Sequence, residues 1–186
     1  MKELIKQHIQ QSLATKQAII ESDTCMASIE AVATLCRETL ANGNKILLAG
    51  NGGSAADAQH IAAELAGRFE KMRPGLAGLA LTTDTSALTA IANDFGFKQV
   101  FARQLQALGN AGDVFIGIST SGNSANIIEA VEIARQKQIK TVCLGGAGGK
   151  LPDLCDQAIC VPETRTAIIQ ESHIMIGHIL CMLIEH

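Results

Sequence analysis

Two short turns carry most of the residues in this sequence that could hold an anion. Residues 50–54 read Gly-Asn-Gly-Gly-Ser and residues 119–124 read Ser-Thr-Ser-Gly-Asn-Ser, and each stands between a short apolar run and a helical pattern. Glycines let the backbone approach a ligand closely, while hydroxyls and the free N–H groups of a following helix can donate hydrogen bonds to a phosphate. The candidate binding residues in these turns are Asn51, Gly52, Gly53, Ser54, Ser119, Thr120, Ser121 and Ser124.

Each turn also has a purely structural interpretation. Residues 50–54 could be an ordinary tight turn, and a serine or asparagine of the second turn could simply cap the helix that follows. The second turn contains more hydroxyl groups than one cap uses, which favours an anion site. Neither turn ends in the Gly-Lys-Ser/Thr of a P-loop, and the ribose-binding acidic residue of a dinucleotide fold has no clear counterpart after Gly53. The two turns therefore favour a sugar phosphate over a nucleotide.

A carboxylate and two imidazoles supply groups that could transfer protons. His60 and Glu64 are four residues apart in the helical pattern after the first turn, so both side chains project from one face. His178 lies in the last helical segment, about two turns after Gln170 and roughly on the same side. Moving a carbonyl between neighbouring carbons needs a base at carbon and an acid or electrophile at oxygen, which this set could provide. Taken singly, Glu64 could be an exposed helix residue and His178 a core residue. The remaining histidines are interpreted as surface or core residues: His8, His173 and His186.

Five short β-like runs alternate with helical segments from residue 42 onward. The runs are residues 45–49, 76–81, 113–118, 141–144 and 157–161. Each of the first four leads through a Gly, Ser or Thr turn to a helical stretch, which is typical of βαβ units. We therefore predict a three-layer α/β/α sandwich around a five-stranded parallel sheet. Ligands of such sheets bind beyond the carboxyl ends of the strands, where both turns fall. The glycine-rich residues 145–150 are predicted to form a flexible turn.

Residues 1–42 have apolar positions at helical spacing, with a break near residues 21–23. This pattern predicts two helices that form an antiparallel hairpin in front of the α/β domain. The apolar stripe of such a hairpin has to be covered, and a partner subunit is the natural cover. We therefore expect residues 1–42 to serve oligomerisation, within a single domain of residues 1–186.

Composition limits the classes of partner. The chain of 186 residues is 47% hydrophobic and 18% charged, and its formal net charge is -3. A net acidic chain argues against a broad surface for nucleic acid or anionic lipid. The N-terminal residues lack the pattern of a signal peptide, and no apolar run approaches the ~20 residues of a membrane span, so we expect a cytoplasmic protein. The six cysteines contain no Cys-x-x-Cys pair and are interpreted as reduced core thiols.

The motifs, taken together and in order, resemble the sugar isomerase (SIS) domain and, within it, the phosphoheptose isomerase family. The resemblance is carried by residues 51–54, His60 with Glu64, residues 93–96 (Asn-Asp-Phe-Gly), residues 117–124, and residues 169–171 with His178. It extends over nearly the whole chain, including the N-terminal hairpin. It implies a cytoplasmic homotetramer with active sites at subunit interfaces. The implied reaction converts sedoheptulose 7-phosphate to D-glycero-D-manno-heptose 7-phosphate for lipopolysaccharide heptose synthesis.

The resemblance also implies roles for individual residues. Glu64 and His178 would be the acid/base pair, with Glu64 as the base that moves a proton between C1 and C2. Asn93 and Asp94 would bind sugar hydroxyls together with Gln170, although a helix-ending turn is the structural alternative for the first two. Some members of the family bind zinc, which would act as a Lewis acid on the carbonyl oxygen. The matching positions here are His60, Glu64, Gln170 and His178. No nucleotide or organic cofactor is expected.

Two other functions are compatible with the same scaffold. A close relative of this family is a tetrameric binding module for the replication initiator DnaA, and residues 43–47, 88–94 and 107–109 resemble it too. That relative lacks counterparts of Glu64 and His178 and departs from the Ser-Thr-Ser-Gly turn, whereas this chain has all of them, which favours the isomerase. A sugar-phosphate sensor of the SIS type would need an attached DNA-binding region, for which this chain leaves no room.

Overall fold

The computed structural model of the protein describes residues 1–186 and contains five strands and eight α-helices. The strands are β1 (Ile46–Gly50), β2 (Gly78–Ala80), β3 (Val114–Ser119), β4 (Lys140–Gly145) and β5 (Gln157–Cys160). The helices are α1 (Lys2–Glu21), α2 (Asp23–Ala41), α3 (Gly53–Ala66), α4 (Thr85–Phe95), α5 (Val100–Leu108), α6 (Ala125–Gln136), α7 (Leu151–Leu154) and α8 (Thr166–Glu185). A short 3-10 turn at Phe97–Gln99 leads into α5.

All five strands are parallel and lie in the order β2-β1-β3-β4-β5. Their bounds agree with the predicted runs to within two residues. The chain leaves β1 toward β2 on one side and returns to place β3 on the other side of β1. The predicted fold class is therefore confirmed, and the sheet has its switch point between β1 and β3.

Helices cover both faces of the sheet, and alternate residues of each strand face opposite layers. Ile46 and Leu48 of β1 belong to a core with α2, α3 and α8, whereas Leu47 and Ala49 belong to a core with α5 and α6. Every residue of β1 and β3 is buried, which is why these strands read as continuous apolar runs. The sheet is the middle layer of three.

Ser22 separates the first two helices, as the C-cap of α1 and the N-cap of α2. Its hydroxyl accepts a hydrogen bond from the N–H of Cys25. The two predicted helices are present, but α1 buries only Thr15 and Ile19. Four apolar residues of its predicted stripe are more than half exposed: Leu4, Ile5, Ile9 and Leu13. Within one chain, α2 therefore does not cover the stripe of α1.

Helix α8 is long and apolar enough to meet the length and hydropathy of a membrane-spanning helix, with a mean hydropathy of 1.6. In this fold it packs against α2, α3 and the sheet, and nine of its residues are buried, so it is a core helix of the domain.

All six cysteines are free thiols, four of them buried. Burial raises the pKa of Cys36 and of Cys181 to about 12, and the four buried thiols lie in the core as predicted, whereas Cys155 and Cys160 are half-buried.

Candidate active site

The two predicted anion-binding turns are neighbours at the switch point of the sheet. Gly50 at the end of β1 pairs with Ile118 near the end of β3, so the turns after these strands share one edge. Gly52 has a φ of +55°, which a residue with a side chain would adopt only with strain, and it precedes the first turn of α3. Helices α3 and α6 begin at this edge, one in each layer, so their N-terminal N–H groups face the same region.

An amide pair ties the two turns together. Asn51 donates from Nδ2 to Oδ1 of Asn126 at 2.9 Å, and Asn126 donates from Nδ2 to Oδ1 of Asn51 at 2.8 Å. Asn126 lies in the first turn of α6 and is 3% exposed. Asn51 was a predicted site residue, whereas Asn126 was not. The only sequence signal for Asn126 is a polar residue beside the apolar positions of an amphipathic helix.

The serine-rich turn keeps its helix end free of side-chain caps. Ser124 occupies the N-cap position of α6, but its hydroxyl makes no cap and instead lies 2.8 Å from the hydroxyl of Ser119. Ser121 accepts a hydrogen bond from the N–H of Asn123. The capping interpretation of Ser124 is therefore wrong for its side chain, and the first N–H groups of α6 have no side-chain acceptor. Thr120 is half-buried beside these hydroxyls.

The glycine-rich residues 145–150 pack on the serine-rich turn. The carbonyl oxygen of Gly122 accepts hydrogen bonds from the N–H groups of Lys150 and Leu151, each at 2.9 Å. Gly122 has a φ of +63°, and a Cβ there would collide with the carbonyl of Gly148. This segment was predicted to be a flexible turn, but its packing makes it a backbone support for residues 119–124. The predicted turn is present, and its supporting role depends on close backbone contact, which glycine content alone does not show.

Helices α3 and α8 run parallel and bring the predicted chemical groups to one groove. Gln170 lies over Gly53, so that a Cβ at Gly53 would be 2.6 Å from the Gln170 Nε2. About two turns further along both helices, Gly177 packs against Ile61. The absence of a side chain at position 177 lets the two helices approach closely.

Beyond this contact, the two histidines face each other. The Nε2 atoms of His60 and His178 are 2.8 Å apart, and their ring planes are inclined by 60°. The Oε1 atom of Glu64 is 3.4 Å from the Nε2 of His60. The side chains of His60 and Glu64 are 44% and 25% exposed, so the groove is open to solvent. The predicted acid/base residues Glu64 and His178 therefore share His60 as their common neighbour.

The same residues bear on the predicted zinc site. Two imidazoles and a carboxylate are a donor set that zinc accepts, and the facing Nε2 atoms of His60 and His178 bring two of these donors together. As the side chains stand, no three His, Cys, Asp or Glu residues converge on one point. Gln170 precedes His178 by two helical turns and packs at Gly53. The donor chemistry fits zinc, while the four predicted ligands are not gathered around a single position.

Asn93 and Asp94 stand apart from these groups. Both lie exposed at the end of α4, and Asn93 donates from Nδ2 to Oδ1 of Asp94 at 2.8 Å. Helix α4 ends at Gly96, which has a φ of +84°, as the alternative of a helix-ending turn requires. Neither side chain makes a hydrogen bond to the two turns or to the histidines. Their role toward a sugar stays a prediction.

Two further residues of this region, Asp57 and Phe69, were not assigned a role from sequence. Asp57 lies one helical turn before His60, and its Oδ2 atom is buried without a hydrogen-bond partner. Burial raises the pKa of the Asp57 carboxyl, and the nearby His60 partly offsets that rise. Phe69 stacks on the His178 ring at 5.5 Å between centroids. His173, for which a surface and a core position were both left open, is fully buried, and its Nε2 lies 3.0 Å from the carbonyl oxygen of Gly145.

Comparison with known proteins gives the same family on three grounds. The SIS domain family model matches residues 7–146. Phosphoheptose isomerase from Aneurinibacillus thermoaerophilus is 60% identical to this chain, and the alignment covers all of this chain and 94% of that protein. The protein of the same name from Sulfurimonas denitrificans is 55% identical, and the alignment covers all of this chain and 95% of that protein. The solved structure of phosphoheptose isomerase from Neisseria gonorrhoeae superimposes with a TM-score of 0.93 at 47% identity, covering 99% of this chain and 98% of that one. The chain therefore belongs to the phosphoheptose isomerase family of SIS-domain proteins.

Proposed function

We propose that this protein isomerises sedoheptulose 7-phosphate to D-glycero-D-manno-heptose 7-phosphate. The observation that carries the proposal is that His60 faces His178 at 2.8 Å and lies 3.4 Å from Glu64, in one open groove between α3 and α8. This groove lies roughly 10 Å along α3 from the turns that suit a phosphate, at a rise of 1.5 Å per helical residue. The relatives named phosphoheptose isomerase support the same reaction.

The phosphate end of the substrate is assigned to the serine-rich turn. The hydroxyls of Ser119, Thr120, Ser121 and Ser124 would donate to its oxygens together with the uncapped N–H groups of α6. A dianion at a helix N-terminus also interacts favourably with the helix dipole. The amides of Asn51 and Gln170, with the backbone of Gly52, Gly53 and Ser54, would hold the sugar chain between the turns and the groove.

The proton transfers are assigned to Glu64 and His178. Glu64 would remove a proton from C1 of the ketose and return it to C2, while His178 would move a proton between O1 and O2 as the enediolate forms and collapses. The reaction is then balanced, because each proton removed is returned to the neighbouring atom. His60, between the two, would keep both groups directed into the same groove.

Zinc is part of the proposal through the residues that would bind it. His60, Glu64, Gln170 and His178 would hold the ion, which supplies Lewis acid polarisation of a carbonyl oxygen when bound. The pair of facing imidazoles supports this assignment. Addition of zinc or a chelator to the purified enzyme tests whether the metal is needed.

The assembly is proposed to be a cytoplasmic homotetramer with active sites at subunit interfaces. Two features support it: the exposed apolar residues of α1, and a groove of about 720 Å³ lined mainly by apolar residues of α1, α2 and α8. The product would enter lipopolysaccharide heptose synthesis, and neither nucleic acid nor membrane is an expected partner.

The decisive experiment incubates the purified protein with sedoheptulose 7-phosphate and follows formation of the aldose, with and without zinc. Glu64→Gln and His178→Ala should each lower kcat by at least about 100-fold, the lower range for one general acid or base. A matched control removes a carboxylate elsewhere: Glu132→Gln on the exposed surface of α6. Wild-type turnover in either active-site variant would remove that residue from the mechanism.

The alternative function is the silent scaffold that binds the replication initiator DnaA. No named relative favours it. A wild-type protein without turnover, with or without zinc, that binds purified DnaA would replace the isomerase proposal with this one.

A further inference from the structure

The loop between α3 and β2 is held by one carboxylate of α8. The side chain of Glu185 accepts hydrogen bonds from the backbone N–H groups of Phe69, Glu70 and Lys71, each at 2.9 Å. This carboxylate is 2% exposed. Three consecutive N–H donors on one buried carboxylate form a compact anion-binding concavity, filled here by the protein's own side chain.

Arg73 completes this arrangement from within the same loop. Its Nε donates to Oε1 of Glu185 at 2.8 Å, and its Nη atoms donate to the carbonyl oxygens of Leu65 at 2.8 Å and Glu64 at 2.9 Å. These carbonyls belong to the last turns of α3, where a helix lacks internal donors. The guanidinium therefore joins the end of α3, which carries Glu64, to the end of α8.

The carboxylate of Glu185 is ionised across the ordinary pH range. Burial alone would raise its pKa, but the three backbone donors and Arg73 outweigh burial and lower the pKa to about 2. The charge at this position is thus a fixed part of the native structure.

The same loop delivers Phe69 to the groove. The Phe69 ring stacks on the His178 ring with 5.5 Å between centroids and 28° between planes. The His178 ring thus has two neighbours: its Nε2 atom faces that of His60, and its ring plane stacks on Phe69. The N–H of Phe69 is one of the three donors to Glu185, so the carboxylate holds the residue that supports the imidazole.

We propose that Glu185, with Arg73, is a positioning residue of the isomerase: it holds the loop so that Phe69 orients the His178 imidazole, and it fixes the helix end that carries Glu64. The proposal rests on the proposed function of His178. Glu185 does not touch the groove itself and acts only through Phe69 and Arg73. No sequence motif pointed to it.

Glu185→Gln and Phe69→Leu test this coupling. Glutamine keeps the shape but loses the charge that accepts four donors, and leucine keeps the loop but removes the ring. Each variant should lower kcat about tenfold or more with KM within about threefold, because a small misplacement of a reacting group slows chemistry more than it weakens binding elsewhere. The double variant should be no slower than the slower single variant, because both changes remove the same support. Phe69→Tyr, which keeps the ring, should retain the wild-type kcat.

A readout without turnover separates this proposal from the reaction itself. Proton NMR of the His178 imidazole in the protein without substrate reports the ring of Phe69, which shifts the resonances of a stacked neighbour. In Glu185→Gln these resonances should move toward their positions in Phe69→Leu. Glu70→Gln, an exposed side chain of the same loop, and Ile184→Val, a core change beside Glu185, should leave them in place.

If Glu185→Gln lowers the melting temperature while kcat and the His178 resonances stay at wild-type values, Glu185 is only a stabilising residue and the proposal fails. If the wild type has no turnover but the resonances move as expected, the positioning role stands and the proposed reaction fails.

Discussion

Replacing Ser124 by aspartate should make the protein more stable and at the same time unable to bind a sugar phosphate. In the wild type the Ser124 hydroxyl pairs with Ser119 and leaves the N-terminus of α6 without a side-chain cap. An aspartate there can accept from the free N–H groups, and a good N-cap stabilises a protein by about 1 kcal/mol. The free energy of unfolding without ligand should therefore rise by about that amount.

The effect on the ligand has the opposite sign. Two unit charges about 4 Å apart repel by about 4 kcal/mol at an effective dielectric constant of 20, which lowers affinity by roughly a thousandfold for each charge of the phosphate. Wild-type protein at a ligand concentration of 100 times Kd should gain about 2.7 kcal/mol. For a chain of this size that corresponds to a rise in melting temperature of roughly 5–10 °C. Ser124→Asp should show almost no rise.

The assay is thermal unfolding with and without sedoheptulose 7-phosphate. Ser22→Asp is the matched control, because Ser22 is the N-cap of α2, belongs to neither turn, and already accepts from the N–H of Cys25. That variant should keep the full ligand-induced rise. A Ser124→Asp protein that still shows the wild-type rise would place the phosphate elsewhere. A loss of stability without ligand would mean that the N-terminus of α6 is not free to be capped.

Two further predictions concern stability. Asn51→Ala and Asn126→Ala should each lower the free energy of unfolding in urea by about 1–3 kcal/mol, because each change leaves a partly or fully buried amide without its partner. The double variant should lose little more than either single variant. Strictly additive losses would mean that the two amides are not coupled. Asp113 is buried, and although burial alone would raise its pKa, the ion pair with Lys45 and the N–H groups of Asn110 and Lys45 lower the pKa below the ordinary value of 3.8. The ionised Asp113 carboxylate contributes fully to stability above the ordinary pKa of 3.8, and this contribution is lost as the pH falls through the lower folded-state pKa. The difference in unfolding free energy between wild type and Asp113→Asn should therefore shrink between pH 5 and pH 3. A constant difference over this range would contradict a stabilising role of the ionised carboxylate.

The sheet could be predicted from sequence because each strand is marked by a pattern within a few neighbouring residues. Strands buried on both faces read as short apolar runs, and the turns between them carry glycine or hydroxyl residues, so the five strands were found within two residues of their ends. The predicted parallel arrangement then places the turns of 50–54 and 119–124 at one edge of the sheet. The open stripe of α1 was also visible as a pattern, but whether α2 covers it depends on the path of the chain at Ser22.

The contacts that complete the site depend on packing between distant parts of the chain. His60 and His178 are 118 residues apart, and they meet only because Gly177 lets α8 lie close beside α3. Asn126 and Glu185 look like ordinary helix residues until their partners are known. Periodicity predicts which face of a helix is buried, but it carries no information on which buried polar groups pair.

The contact between residues 119–124 and 145–150 has a consequence for anyone who wishes to redesign this protein. Gly122 and Gly149 both have positive φ angles, +63° and +96°, and a Cβ on either would collide with the backbone of the other segment. The two segments are therefore sterically coupled, although 20 residues separate them in the sequence. A library that randomises residues 119–124 alone will return glycine at position 122 whatever ligand is selected. Wider change of anion specificity requires both segments to be varied in the same clone.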